Sequence, residues 1–181
     1  MDSELKKNIT KSQEFLKVKD YDNAEQALLK NLDLTNANFE TFFLLGAISG
    51  IKKNFIAAEK YLKKAISLNT SHINSLINLA IILKKMHKKK ESIDCFNKVI
   101  ELDKNNIDGL CGLAQIFEED QNFTMAEIHY KKVIEINPNH HIANHNYGKL
   151  LLKLNKHSEG LKFIEKISGM IKFKSNHFEI I

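Results

Sequence analysis

The chain has 181 residues, 43% of them apolar, which is enough for one ordinary domain with a buried core. One proline and seven glycines leave too little punctuation for a β-sandwich, a collagen-like or low-complexity chain, or the glycine loops of a nucleotide-binding core. Twenty-seven bases against 22 acids give a net charge of +5, and every base is lysine, so the planar guanidinium fork that grips phosphates and guanine edges is missing. Lysines still attract polyanions as point charges, which leaves nonspecific acidic partners open while sequence-specific DNA reading is not expected.

Two cysteines, Cys95 and Cys111, form neither a secreted disulfide framework nor a CxxC pair. The opening Met1-Asp2-Ser3-Glu4 lacks the basic and apolar regions of a signal peptide, and the longest apolar stretch, Phe42 to Ile51, is too short to span a bilayer. The expectation is a chain of the reducing cytoplasm.

Taken along the chain, similar phrases return every 34 residues: Asn31-Leu32-Asp33-Leu34, Ala65-Ile66-Ser67-Leu68, Val99-Ile100-Glu101-Leu102 and Val133-Ile134-Glu135-Ile136. The period defines five windows, 5–38, 39–72, 73–106, 107–140 and 141–174. Apolar residues within each half follow helical steps, as in Leu76, Leu79, Ala80 and Leu83, so each window predicts helix, tight turn, helix. The eighth position is small throughout (Ser12, Gly46, Ala80, Ala114, Gly148), and so is the twentieth (Ala24, Ala58, Ser92, Ala126, Gly160). Small residues twelve apart are what two antiparallel helices need where their axes come close. Position twenty-four is large, with Leu28, Leu62, Phe96, Tyr130 and Ile164.

The pattern resembles the tetratricopeptide repeat (TPR), W-x2-L-G-x2-Y then A-x3-F then P. The fourth window carries Leu110, Leu113, Ala114, Phe117, Ala126, Tyr130 and Pro138. The second and third follow it with Phe42, Leu45, Gly46, Ala58, Leu62 and with Leu76, Leu79, Ala80, Leu83, Ser92, Phe96; the fifth departs at Asn144 and Ile164. The first is the poorest, with Asn8, Lys11 and Asn31 where the second to fourth windows are apolar, and is the expected weak end. The resemblance implies an all-α, right-handed α-solenoid of antiparallel helix pairs over residues 1–174. Residues 175–181 are then a capping tail or the start of a further helix at Ser175. A small hairpin is the alternative for this end, since Ile171 and Phe173 alternate with lysines and Phe178 and Ile180 flank Glu179.

No catalytic constellation is visible. His141 and His145 have metal-ligand spacing, but the glutamate of H-E-x-x-H is absent, and the two cysteines lack further ligands. No P-loop, glycine fingerprint or G-x-S-x-G occurs. A noncatalytic chain without cofactor or metal is therefore expected. Lys84, Lys85, Lys88, Lys89 and Lys90 cluster at one turn and suit an acidic partner, whereas Lys30, Lys64, Lys98, Lys132 and Lys166, all at position twenty-six, form a solvated outer ladder.

In TPR proteins the first helices line a concave groove through positions two, five, six, nine, twelve and thirteen. The resemblance therefore implies a peptide-binding groove of Phe43, Ile77, Cys111 and His145 at position five, Ala47, Ile81, Gln115 and Lys149 at position nine, and Asn78 and Asn146 at position six. Phe43, Ile77 and Ile81 would make an apolar strip, or would pack between neighbouring repeats. The carboxylate clamp of chaperone-tail binders is absent, because Phe43, Ala47 and Gly112 stand where it needs lysines and asparagines. The asparagine ladder of O-linked N-acetylglucosamine transferase superhelices keeps only Asn78 and Asn146. The expected role is a protein- or peptide-binding scaffold. An accessory module of a glycosyl- or sulfotransferase is the alternative, and lysine-mediated nucleic-acid binding is the minor one.

Overall fold

The computed structural model describes residues 2–32, 38–168, 171–174 and 177–180, with side chains described between 3 and 165. They form two compact units, Met1–Leu102 and Asp103–Ile181. The first holds α1 (Asp2–Lys17), α2 (Tyr21–Leu29), α3 (Phe39–Ile51), α4 (Phe55–Leu68), α5 (Ile73–Lys85) and α6 (Lys89–Leu102). The second holds α7 (Ile107–Glu119), α8 (Phe123–Ile136), α9 (His141–Lys153), α10 (His157–Ser168), β1 (Ile171–Lys174) and β2 (His177–Ile180). Helices α3, α5, α7 and α9 begin at the first residue of their windows and α4, α6, α8 and α10 at the seventeenth. Helix α1 starts ahead of its window, and α2 has nine residues against fourteen in α4.

Each odd helix turns into its partner through the same device. Lys19, Lys53, His87, Gln121 and Asn155, all at position fifteen, have φ near 60°. The next amide then donates five residues back, as in Asn54 N to Ser49 O at 2.8 Å and Asn122 N to Phe117 O at 2.8 Å. This is the Schellman closure, here made five times without a glycine. Side-chain oxygens of Asp20, Asn54 and Asn122 cap the helices that follow, and Asn38 and Asn106 cap α3 and α7.

The small positions sit where each pair crosses. Ser12, Ala24, Ala58, Ala80, Ser92, Ala114 and Ala126 are fully buried, and the Ser92 hydroxyl donates to the Ala80 carbonyl at 2.7 Å. A Cβ on Gly148 would lie 2.8 Å from the Gly160 carbonyl, so α9 and α10 touch backbone to backbone. Leu28, Leu62, Phe96 and Tyr130 fill the large position at 2% exposure or less.

Glutamates at position twenty-one of the first, second and fourth windows reach residues of the window that follows; the third has Ile93 there. Glu25 meets Lys52 at 2.7 Å, Glu59 meets Lys88 at 2.7 Å, and Glu127 accepts from the Tyr147 hydroxyl at 3.0 Å. The Glu59 carboxyl is held below its ordinary range by Lys63 and Lys88. The turn lysine cluster is thus partly neutralised from within, at Lys88.

Two of the polar positions of the first window, Asn8 and Asn31, are hydrogen-bonded to each other. Asn31 is fully buried, accepts from Asn8 Nδ2 at 2.8 Å, and donates to Leu5 O and Thr41 Oγ1, each at 3.2 Å. The Thr41 hydroxyl in turn donates to Asn38 Oδ1 at 3.0 Å. These amides stitch α1, the end of α2 and α3 together. Lys11 is exposed and lies over the Phe15 ring at 5.9 Å.

At the other end, β1 and β2 pair antiparallel with Phe173 opposite Phe178. Residues 177–180 are strand, where one reading starts a further helix at Ser175; Ser175 and Asn176 lie outside the described residues. The Lys166 side chain lies outside them as well.

Candidate functional site

Helices α3 and α5 stand side by side in the first unit, and their facing positions enclose a pocket of about 300 Å³. Its lining is Gly46, Ala47, Gly50 and Ile51 from α3, Phe55 and Leu62 from α4, and Asn78, Ile81, Ile82 and Lys85 from α5. The hollow exists because Gly46, Ala47 and Gly50 of α3 carry little or no side chain. A Cβ on Gly46 would lie 2.6 Å from Leu62 Cγ, so this glycine serves the α3–α4 crossing. Gly50 serves the α3–α5 approach instead, since its Cβ would meet only Ile82 Cδ1, at 3.1 Å. Ile51 and Ile81 are 53% and 45% exposed, which leaves apolar surface at the mouth of the pocket.

The ten groove residues expected from sequence divide four ways. Ala47, Asn78 and Ile81 line the pocket. Phe43, Ile77 and Cys111 do not offer themselves to a groove. The Phe43 ring meets the His72 ring edge-on at 4.8 Å and packs against the cluster of Ala58, Leu62, Leu79, Ile82 and Leu83. Ile77 is 8% exposed and packs with Leu76, Val99, Ile66 and Ile73. Of the expected apolar strip, Ile81 is exposed, Phe43 is half-buried and Ile77 is buried. Cys111 is also 8% exposed, and burial pushes its thiol up to about 11, as it does that of Cys95. Neither cysteine carries reactive thiolate at neutral pH.

Gln115 and Asn146 line a different hollow of about 240 Å³, in the second unit, with Glu118, Glu119, Tyr130 and Lys153. There the Tyr130 hydroxyl donates to Glu118 at 3.1 Å, and Lys153 pairs with the other oxygen of that carboxylate. Burial, then the neighbouring Glu118, raises the Tyr130 hydroxyl far above its ordinary range. The walls of this hollow are thus occupied with one another. His145 and Lys149 are exposed.

Among the described residues, no three His, Cys, Asp or Glu converge to hold a metal, and no helix is long and apolar enough to cross a membrane. His140 is used structurally, its Nδ1 accepting from Ala143 N at 3.1 Å to cap α9.

Sequence reasoning passed over Gly50, Ile51 and Lys85, although they stand at positions twelve and thirteen, which the resemblance names as groove-lining. Phe55 and Ile82 gave no such signal, because they reach the pocket from positions seventeen and ten.

Family profiles described as tetratricopeptide repeat match residues 39–72, 73–106 and 107–140, and another matches 129–162. The chain belongs to the tetratricopeptide-repeat family. The three consecutive matches coincide with the second, third and fourth windows, and the ten helices of the described residues give the all-α fold of TPR proteins. In fold this TPR chain is similar to the crystal structure of MamA, at 23% identity over 86% of this chain and 91% of that one, with a TM-score of 0.77. It is similar to PilF of Pseudomonas aeruginosa at 14% identity, 93% and 77% coverage and a TM-score of 0.82. It is also similar to YrrB, described as a TPR protein with an unusual peptide-binding site, at 18% identity, 88% and 82% coverage and a TM-score of 0.72. No curated protein matches the chain.

Proposed function

We propose that this TPR chain is a noncatalytic protein–protein interaction module, and that the α3–α5 pocket takes an extended peptide segment of its partner. The observation that carries the reading is an apolar hollow bordered by an amide: Ile51, Phe55 and Ile81 offer apolar contact, and Asn78 stands beside them. An asparagine amide has both donor and acceptor and so suits the two groups of a peptide backbone without choosing a side chain. Membership of a family of interaction scaffolds supports the reading, as does the peptide-binding site named for the similar YrrB. The groove of this proposal is narrower than the sequence implied, centring on Ala47, Asn78 and Ile81.

Selection from a random display library, followed by calorimetry on the enriched peptides, tests the site. Asn78→Ala is expected to weaken binding by about 0.5–1.5 kcal/mol through a lost hydrogen bond. Ile81→Asp should abolish binding by placing a charge against an apolar group. Lys98→Ala, whose side chain pairs with Glu101 on exposed α6, should leave binding unchanged. Binding that survives both pocket changes and is lost with Lys98→Ala would place recognition elsewhere.

A further inference from the structure

The α3–α5 pocket has a chemical bias that peptide binding alone does not require. Its volume of about 300 Å³ is twice the roughly 150 Å³ that an apolar cavity needs to hold benzene, so one branched or aromatic side chain fits with room for its backbone. Gly46, Ala47 and Gly50 leave the floor bare, and Ile51, Phe55, Ile81 and Ile82 supply apolar walls. Only two lining residues are polar, Asn78 and Lys85, and no acidic residue is among them.

Lys85 differs from three other lysines of the first unit. Lys52 is held by Asp22 and Glu25, Lys63 by Glu59 and Glu91, and Lys88 by Glu59. Among the described residues no acidic side chain pairs with Lys85, which ends α5 exposed at the edge of the hollow. The wider field has the same sign. Residues 1–102 carry 17 lysines against 12 acids and residues 103–181 carry 10 of each, so the whole net charge of +5 falls on the unit that holds the pocket.

We infer that the pocket selects a peptide segment in which a bulky apolar residue stands next to an acidic one, the apolar side chain entering over Gly46 and Gly50 and the carboxylate meeting Lys85. The inference rests on the peptide reading above and adds the ligand's chemistry. A free anion gains nothing from the apolar walls, and a neutral apolar peptide leaves Lys85 without a partner. A basic peptide is repelled by Lys85 and by the unit's field. A nucleic acid would use the lysines but not the isoleucines, and so belongs among the refuting outcomes.

The test uses the full chain and a fixed peptide set, read by fluorescence anisotropy. Each probe is a blocked nonapeptide of glycine and serine with Leu, Ile or Phe at its centre and Glu, Gln or Lys at one neighbouring position. Glu peptides are expected to bind about two- to five-fold tighter than Gln peptides, the range of a rim ion pair, with Lys peptides weakest. High salt should shrink that difference. Lys85→Glu should invert the order in favour of the Lys peptides. Lys60→Glu, an equal change of charge on an exposed residue outside the pocket, should not. If Glu and Gln peptides bind equally and Ile81→Asp removes both, the acidic preference is overturned while the peptide site stands. If Lys60→Glu inverts the order as well as Lys85→Glu, bulk charge explains the preference and the role of Lys85 falls. If no peptide binds, or only an oligothymidylate does, the inference and the reading beneath it fall together.

Discussion

Asn31 is the position at which the structure and the repeat pattern disagree most sharply, so replacing it separates the two. The equivalent residues are Ala65, Val99 and Val133, all fully buried, and the pattern alone would have Asn31→Val stabilise the first window. The structure says otherwise. Asn31 makes three hydrogen bonds, to Asn8, Leu5 and Thr41, from a site with no exposure. At about 1 kcal/mol net for each, the set is worth about 3 kcal/mol. Asn31→Ala loses all three and leaves a small void, for an expected cost of about 2–4 kcal/mol. Asn31→Val recovers about 1–2 kcal/mol by burying its methyls, leaving a cost of about 1–2 kcal/mol. Part of that cost comes from stranding polar partners, so Asn8→Leu with Asn31→Val should lie closer to the original chain than Asn31→Val alone. Urea unfolding followed by circular dichroism gives the stabilities, and hydrogen exchange over residues 3–31 locates the effect. A neutral or stabilised Asn31→Val variant would show that the buried amides contribute nothing and that the first window is weak for the reason its sequence suggests.

Four further outcomes follow from the geometry. Ala80→Leu and Ala114→Leu should each cost about 1–3 kcal/mol by overpacking a helix crossing. Gly148→Ala should cost at least as much, because its Cβ meets the rigid Gly160 carbonyl, whereas Gly50→Ala should stay within about 1 kcal/mol, because only a flexible isoleucine end must move; thermal unfolding ranks them. Lys53→Gly and Gln121→Gly should stabilise by roughly 0.5 kcal/mol, relieving a left-handed residue at some entropic cost, while Lys60→Gly within α4 should cost about 1 kcal/mol. His129, stacked on Phe117 at 5.6 Å, has a pKa lowered from 6.5 by burial and then by Lys132. A depressed value means that its contribution is present above pH 6.5 and is lost as pH falls below it, so urea midpoints should drop there and His129→Phe should flatten the drop.

Much of the fold was legible because its cause is local and repeats. Apolar residues at helical spacing and small residues twelve apart placed a helix pair in each window and the crossing within each pair. The Schellman turns were not legible in residue type, since lysine, histidine and glutamine stand at position fifteen where glycine would have marked a left-handed backbone. The geometry there is imposed by the helices on either side, and the period reveals it only once one turn has been seen. The amide network of the first window was hidden for a different reason. Asn8, Asn31 and Thr41 are far apart in the chain, and nothing in the sequence states that each would find the other.

The candidate site was read less well because openness is a tertiary property. Position five of an odd helix lies off the small positions of the crossing, which the helical period shows, but whether it then meets solvent depends on side chains that other segments bring to it. The His72 ring comes down on Phe43, and Ile66 and Val99 close around Ile77, while nothing of comparable size covers Ile81. The converse holds for the pocket itself, which exists where side chains are missing. Gly46 and Gly50 look alike in the sequence, yet one makes room for Leu62 at the α3–α4 crossing and the other for Ile82 between neighbouring pairs. Only the first has a counterpart in every window, and it was read as packing. The second has none in the repeat pattern, so nothing in the sequence marked the room it makes for Ile82.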